Sequence, residues 1–483
     1  MRYDPKQWAT AQPYPPLATI GAAALMREHG FGVSLFDTMF VERPEAVISR
    51  LDSLRPDFLV IYDDGFNYLT KMCLTNMREA AFRMIRLAAQ RGVVVIVSSS
   101  DSTDHWQEYL GKGADFVLLG EGEQTLLELV TAIRGGQRDF ESIAGLAWRR
   151  DGVAVRSFAR KVMTDLDRLP LPAWDLVDME SYRKIWMEHH GYFSLNVSTT
   201  RGCPYKCNWC AKPIYGNRYH ARSPRHVMEE IKWLKERYAF DHIWMCDDIF
   251  GLKTGWVREF ADLVEESRLS FRFKIQSRAD LLVQENYVEA LARAGCENSW
   301  MGAESGSQKI LDAMDKGTTV EQIAGATRLL REHGIRVSFF IQFGYPGETR
   351  EDIDLTIRMI KSLMPDNIGI SVSYPLPGTV FYERVKSELK EKANWTDSDE
   401  LKLMFRNTYS PEFYKQLHRY VHKTYRRQLA LQEIRRFVFR PGQLTKKGVG
   451  GRLRRGLRMA ASFGWYLTDA AIAGWRLKQK MIS

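Results

Sequence analysis

Two periodicities alternate along the first 390 residues. Short apolar runs rich in Val, Ile and Phe are separated by amphipathic segments with a helical repeat. In the first part, Val33–Phe36, Phe58–Tyr62, Val93–Val97 and Phe116–Leu119 read as strands. Ala18–His29, Pro44–Leu54, Met77–Gln90 and Thr125–Ile133 read as helices between them. Continuous apolar strands that alternate with helices predict a parallel sheet covered on both faces, a doubly wound domain over residues 1–160. Trp148–Val155, turning on Asp151-Gly152, predicts a hairpin.

A proline-punctuated stretch, Leu169-Pro170-Leu171-Pro172, lies in a predicted linker over 161–181. The alternation then resumes over 182–390. Its strands are Phe193–Ser198, His242–Cys246, Arg272–Gln276, Asn298–Met301, Val337–Phe343 and Ile368–Tyr374. Its helices are Pro224–Arg237, Trp256–Ser267, Asn286–Arg293, Val320–His333 and Arg350–Leu363. This α/β repeat predicts a partial (β/α)6 barrel of the TIM type, with functional groups at the carboxyl ends of the strands. From residue 391 the alternation stops and the chain reads as a helical tail, with Pro411–Phe437 its clearest helix.

Candidate chemistry concentrates in one loop after the first barrel strand. Cys203, Cys207 and Cys210 stand at C-x3-C-x2-C spacing, so half of the six cysteines fall within eight residues. Thiolates are soft ligands that suit iron–sulfur clusters, zinc or cuprous copper. A structural zinc site takes a fourth ligand, and His220 and His226 are the nearest candidates at no usual spacing. Three unrelated core thiols are the plainest alternative, which such clustering disfavours.

The three-cysteine loop, with Trp209 before the last cysteine, resembles the signature of the radical S-adenosylmethionine (radical SAM) enzymes. The resemblance implies a 4Fe–4S cluster on Cys203, Cys207 and Cys210, with one iron open to chelate SAM. The reduced cluster then cleaves SAM to a 5′-deoxyadenosyl radical. Trp209 would shield the cluster. Polar groups follow the predicted strands in order: Asp247-Asp248, then Gln276 and Arg278, then Gly302-Ala303-Glu304-Ser305-Gly306-Ser307, then Gly344-Tyr345-Pro346-Gly347-Glu348-Thr349, then Pro375-Leu376-Pro377-Gly378-Thr379. As cofactor-binding residues, the acid pair would meet the SAM ammonium and Arg278 its carboxylate. Glu304, beside Ser305, would accept from the ribose, and the backbone around Tyr345 would meet adenine. The forms ESGS, GYPGET and PLPGT are similar to the cobalamin-associated group, which contains methylases and the anaerobic magnesium-protoporphyrin monomethyl ester oxidative cyclase.

The first domain carries a weaker form of the same resemblance. Pro15-Pro16-Leu17 and the turn Gly120-Glu121-Gly122-Glu123 are similar to a Rossmann-like cobalamin-binding domain. The resemblance implies corrinoid contacts from Ser98, Ser100, Asp101, Ser102, Gly120, Glu121 and Gly122, at the strand ends where such sheets bind ligands. Two departures stand out. No strand precedes Pro15 in this sequence, and no D-x-H-x-x-G histidine is present, His105 following Asp104 directly. Cobalamin would therefore bind without that ligand.

Charge refines the picture of partners. The net charge of +10 belongs to Arg435–Ser483, which holds 12 Lys/Arg and one acid. The rest is nearly neutral, which argues against nucleic-acid binding. Met459–Trp475 is mostly apolar between basic flanks and predicts an interfacial helix on an anionic membrane. The isolated cysteines and polar start predict a cytoplasmic enzyme, and the basic tail predicts a peripheral place on the inner face of the membrane. The expected function is cobalamin-dependent C-methylation of a hydrophobic small molecule, with flavodoxin or ferredoxin as electron donor. Oxidative cyclisation or carbon–carbon bond formation on a tetrapyrrole or lipid is the alternative. A zinc-stabilised membrane-surface binding protein is the non-enzymatic one.

Overall fold

The computed structural model describes residues 5–66, 72–212, 214–389, 394–397 and 400–439, together with Gly474 and Leu477. The first sheet is built from β1 (Phe58–Tyr62), β2 (Val94–Ser98), β3 (Phe116–Leu118), β4 (Leu146–Arg150) and β5 (Val153–Arg156), in that spatial order. β1, β2 and β3 run parallel, and the β4–β5 hairpin adds antiparallel to β3. Helices α1 (Leu17–Glu28), α2 (Val47–Leu54), α3 (Thr75–Ala89), α4 (Ser100–Asp104), α5 (Trp106–Gly111) and α6 (Glu123–Arg134) surround it. Val47, Leu51, Phe82, Ile85 and Tyr109 pack on one face, and Leu25, Met26, Leu126 and Leu129 on the other. The sheet is thus doubly wound, as its unbroken apolar strands require.

Two expectations about this domain need correction. Val33–Phe36 is not a strand. Among the described residues β1 pairs only with β2. Beyond the free edge of β1 lies a cavity of 1690 Å³, lined by Val33, Leu35 and Phe36 and by Met26, Val47 and Leu51 from both faces. With that lane between it and β1, the Val33–Phe36 segment has no ladder to join. Ser98–Ser102, expected as a loop, instead ends β2 at Ser98 and opens α4 at Ser100. Ser99 caps it, accepting from Ser102 N at 2.8 Å while Ser102 Oγ accepts from Ser99 N at 2.9 Å.

The second sheet has six parallel strands: β6 (Ser194–Val197), β7 (His242–Met245), β8 (Arg272–Ser277), β9 (Cys296–Glu304), β10 (Arg336–Phe343) and β11 (Asn367–Val372). Each pairs with its sequence neighbour, which makes an open barrel with β6 and β11 at its edges. Side chains alternate as the pleat demands: Phe273 and Ile275 are fully buried, while Lys274 and Gln276 on the opposite face are only partly so. The Pro13–Pro16 segment, expected in the first domain, docks on this barrel. Asn196 Nδ2 donates to Pro15 O at 3.0 Å, Trp186 Nε1 donates to Pro13 O at 2.8 Å, and the Tyr14 and Ser194 hydroxyls meet at 3.1 Å. At the other end, a helix over Pro411–Phe439 packs on the barrel through Tyr425, whose hydroxyl donates to Pro365 O at 2.7 Å. The expected interfacial segment Met459–Trp475 lies outside the described residues, Gly474 apart.

Candidate functional site

The three cysteines occupy the connection that leaves β6, all half-buried, and none is in a disulfide. Asn208 holds this loop in place. Its backbone N–H donates to Met314 O at 3.0 Å. Its side-chain amide donates to Ala313 O at 2.8 Å and to Asp315 Oδ2 at 2.7 Å, and its own oxygen accepts from the Tyr345 hydroxyl at 2.7 Å. A residue between two of the thiols is therefore fixed from both sides. The thiols feel one another. Burial raises the pKa of Cys203, the Tyr205 amide and the Lys212 charge lower it, and Asp248 and Cys207 push it up again. A cationic centre would relieve that repulsion, so the donor set suits a metal cluster. Among the described residues no three His, Cys, Asp or Glu side chains stand close enough to hold a single ion.

Arg278 links the loop to the barrel mouth. Its Nη1 lies 3.7 Å from Cys207 Sγ, its Nε donates to Asp280 Oδ1 at 2.9 Å, and its Nη2 donates to Lys316 O at 2.7 Å. The guanidinium stacks 3.6 Å from the centre of the Tyr205 ring. Beside it, Lys316 Nζ donates to Glu304 Oε1 at 2.8 Å, with both side chains buried. Burial opposes the Lys316 charge, yet Glu304 and Cys207 together offset it, and the pKa of Lys316 lies above its ordinary value. Glu304, expected just past the strand, is the last residue of β9 and has φ +55°. Gly302 makes room for the pair, because a Cβ there would stand 2.5 Å from Lys316 Nζ and 2.8 Å from Glu304 Oε1.

The other expected SAM residues are placed as follows. Gln276 is half-buried, on the face of β8 opposite the buried Ile275. Asp248 is half-buried and its charge acts on Cys203. Asp247 is buried and accepts from Thr199 N at 2.7 Å, Thr199 Oγ1 at 2.7 Å and Thr200 N at 2.8 Å, the residues that lead into the cysteine loop. Burial raises its pKa to about 6 against those hydrogen bonds. Ser305 faces away from the loop, its hydroxyl 3.0 Å from that of Thr356. Tyr345 points its hydroxyl at Asn208, and Trp209 is half-buried with its Nε1 enclosed. Cys246 and Cys296 are buried core thiols, their pKa values raised by burial.

At the strand ends of the first domain, Asp101 is taken up by Arg78, with Nε at 2.6 Å, and by the Tyr109 hydroxyl at 2.7 Å. Burial would raise its pKa, but Arg78 outweighs burial and holds it low. Ser98 packs against Gly122, where a Cβ would stand 2.7 Å from Ser98 Oγ. Glu121 and Glu123 both grip Arg201, and the Gly120 turn faces Ile214. Ser100 Oγ is buried with no hydrogen-bond partner among the described residues. The large cavity reaches this rim at Asp63, Asp64 and Ser99. Asn208, Lys316 and Arg201 carry much of the site yet go unnoticed in sequence, since no motif marks their partners.

Comparison with known proteins gives a consistent picture. Residues 197–360 match the radical SAM superfamily. An uncharacterized methyltransferase of Pyrococcus horikoshii is 30% identical over 283 residues, 58% of this chain and 60% of that protein. The anaerobic magnesium-protoporphyrin IX monomethyl ester cyclase of Rubrivivax gelatinosus is 25% identical over 387 residues, 78% of this chain and 67% of that one. The chain thus spans 60% of the length of the first of these relatives. Among solved structures, the cobalamin-dependent S-adenosylmethionine radical enzyme OxsB, with aqua-cobalamin and S-adenosylmethionine bound, superposes with a TM-score of 0.73. It covers 98% of this chain and 71% of its own at 15% identity, a likeness of fold. The cysteine loop, the open barrel and the matched segment converge on one stretch: residues 197–360 match the radical SAM superfamily.

Proposed function

We propose that this enzyme methylates an unactivated carbon of a hydrophobic small molecule, with a 4Fe–4S cluster and SAM at the barrel mouth and a corrinoid at the strand ends of the first domain. The observation that carries the reading is the Arg278 bridge, which runs from Cys207 to Lys316 and so to Glu304 at the top of the lumen. When bound, the cluster supplies the electron for SAM cleavage and the corrinoid supplies a methyl group. The chain's own residues do the rest. Cys203, Cys207 and Cys210 hold the cluster, and Trp209 screens it from water. Arg278 and Asp248 receive the charged ends of SAM, and the Glu304 carboxylate receives its ribose once the Lys316 contact rearranges. Asp247, Ser305 and Tyr345 hold these loops in shape.

Substrate class follows from the lumen wall. Trp300 and Phe340 stack with centroids 4.7 Å apart and are both only partly buried, on the face that carries Gln276. Gly369 sits beside them, 3.2 Å from the Trp300 ring at its Cβ position. That apolar wall suits a ring or chain without charge. The methyltransferase name of the Pyrococcus relative supports methyl transfer, and the cobalamin in OxsB supports a corrinoid. The Rubrivivax cyclase supports oxidative cyclisation as the second reading.

Anaerobic reconstitution tests the proposal. A brown protein bleached by dithionite, which cleaves SAM to 5′-deoxyadenosine, is the expected result. A colourless zinc protein would refute it. If the cluster assembles but no corrinoid co-purifies or binds, oxidative chemistry replaces methylation. Flavodoxin or ferredoxin is the proposed reductant. Among the described residues no helix is long and apolar enough to cross a membrane. The basic tail is proposed to hold the enzyme at an anionic surface on the cytoplasmic side. Full-length protein should sediment with anionic vesicles at low salt, and a chain that ends at Arg440 should stay in solution.

A further inference from the structure

Arg201 joins the two domains beside the cysteine loop. Its Nη1 meets Glu121, and its Nη2 donates to Glu123 Oε1 at 2.7 Å. The arginine stands two residues before Cys203, whereas both carboxylates belong to the turn at the carboxyl end of β3. All three side chains are buried, at 10%, 6% and 3% exposure. The guanidinium lies 5.2 Å from the centre of the Tyr215 ring, which in turn stacks on Phe66 at 5.8 Å. The second oxygen of Glu121 accepts from Met163 N in the linker at 2.5 Å. Four stretches of chain therefore converge on one cation: the first-domain turn, the linker, the residue before the cysteine loop and the segment after it.

Stability alone is a poor reason for such a group. A buried guanidinium held by two carboxylates costs several kcal/mol to desolvate, and an apolar cluster of equal volume often serves as well. What the fork does supply is fixed orientation. We propose that Arg201, Glu121 and Glu123 form an interdomain clasp that holds the strand ends of the first domain at a set separation from the metal centre of the cysteine loop. They are positioning residues. The clasp rests on the cluster reading for its purpose, but not on which ligand the first domain binds.

The test compares Arg201→Lys and Glu123→Gln with Arg293→Ala, which removes exposed ion pairs to Asp262 and Glu265 on the neighbouring helix Thr254–Ser267, in the full chain reconstituted anaerobically. Two quantities are read: the rate at which a chelator strips iron, and amide hydrogen exchange along the chain. The clasp variants should assemble the cluster, yet lose it about tenfold faster, the scale of one charge-assisted contact. Exchange should accelerate over residues 119–124 and 211–216 and stay unchanged in β9 and β10. The control should match the parent protein. Wild-type stripping and exchange in both variants would overturn the clasp, and so would acceleration spread evenly over both domains. Glu123→Gln keeps the Glu121 contact and serves if Arg201→Lys does not fold. Failure of the parent protein to assemble any cluster would defeat the functional reading instead, while the exchange pattern would still decide whether the domains are clasped.

Discussion

Replacing Arg278 by Gln removes one positive charge beside the cluster ligands. Gln keeps a donor for the Lys316 carbonyl and leaves Asp280, which is partly exposed, to water. The guanidinium lies 3.7 Å from Cys207 Sγ, so it acts on charge added to whatever Cys207 binds. With an added electron roughly 6 Å away and an effective dielectric constant of about 20–40, Coulomb attraction is about 1.4–2.8 kcal/mol. For a one-electron couple that corresponds to roughly 60–120 mV. Loss of the cation makes reduction harder, so the midpoint potential of the Arg278→Gln cluster should fall by about that amount. A potentiometric titration followed by electron paramagnetic resonance, on protein with matched iron content, reads it directly. SAM affinity, from equilibrium binding to the same samples, should drop about ten- to a hundredfold as one charge-assisted contact is lost. An unchanged or raised potential would refute the electrostatic role, and an unchanged affinity would refute the placement of SAM.

Further expectations concern the loop and its supports. Cys207→Ala should lose both the visible absorption of the cluster and 5′-deoxyadenosine formation, as end-point chromatography would show. Asn208→Ala removes the amide that donates to Asp315 and Ala313 O and leaves the Tyr345 hydroxyl on its second acceptor, Ala313 O at 3.0 Å, a loss of about 1–3 kcal/mol; iron should come off the reconstituted protein faster while the far-ultraviolet dichroism stays as it was. Asp247→Asn turns an acceptor of three short hydrogen bonds into a group with donors of its own, and should lower iron content per chain more than Asp248→Asn. Glu348 gives a pH signature. Burial pushes its carboxyl from 4.5 up to about 8, against the Gly344 N–H that pulls it down. A pKa raised by folding favours the protonated form, so its contribution is whole below about pH 4.5 and is lost as the pH climbs through about 8. At roughly 1.4 kcal/mol per unit this has an upper bound of about 5 kcal/mol. Glu348→Gln should therefore melt higher than the parent at pH 8.5 and much like it at pH 5.

Most of the architecture is legible in the sequence because parallel strands are apolar throughout and helices repeat at 3.6 residues. Phe58–Tyr62 and Arg350–Leu363 come out with the bounds that their patterns give. Val33–Phe36 has the same local pattern, but a strand also needs a neighbour, and no property of four residues reveals whether one is there. Within the site, Cys203, Cys207 and Cys210 announce themselves because ligand spacing is local. Asn208 does not, since its worth lies in Ala313 and Tyr345, more than a hundred residues away. Arg201 likewise finds Glu121 80 positions back. Asp247 shows the converse. A pair of acids suggests a ligand, yet this one is spent on the backbone of its neighbour strand.

The lane beside β1 bears on how the molecule comes apart. A strand hydrogen-bonded on one side, bordering 1690 Å³ of cavity, forgoes contacts that a close-packed interior would supply. The barrel's four inner strands are each paired on both sides, so it has no such open edge in its middle. Heat should therefore loosen the first domain before the barrel, and calorimetry should resolve a lower and an upper transition. Any molecule that fills the lane or settles on the adjoining strand ends would lift the lower transition by mass action and leave the upper one where it is. The molecule thus carries its own ligand sensor, and a library of corrinoids and extended apolar peptides can be ranked by one temperature without knowledge of the reaction.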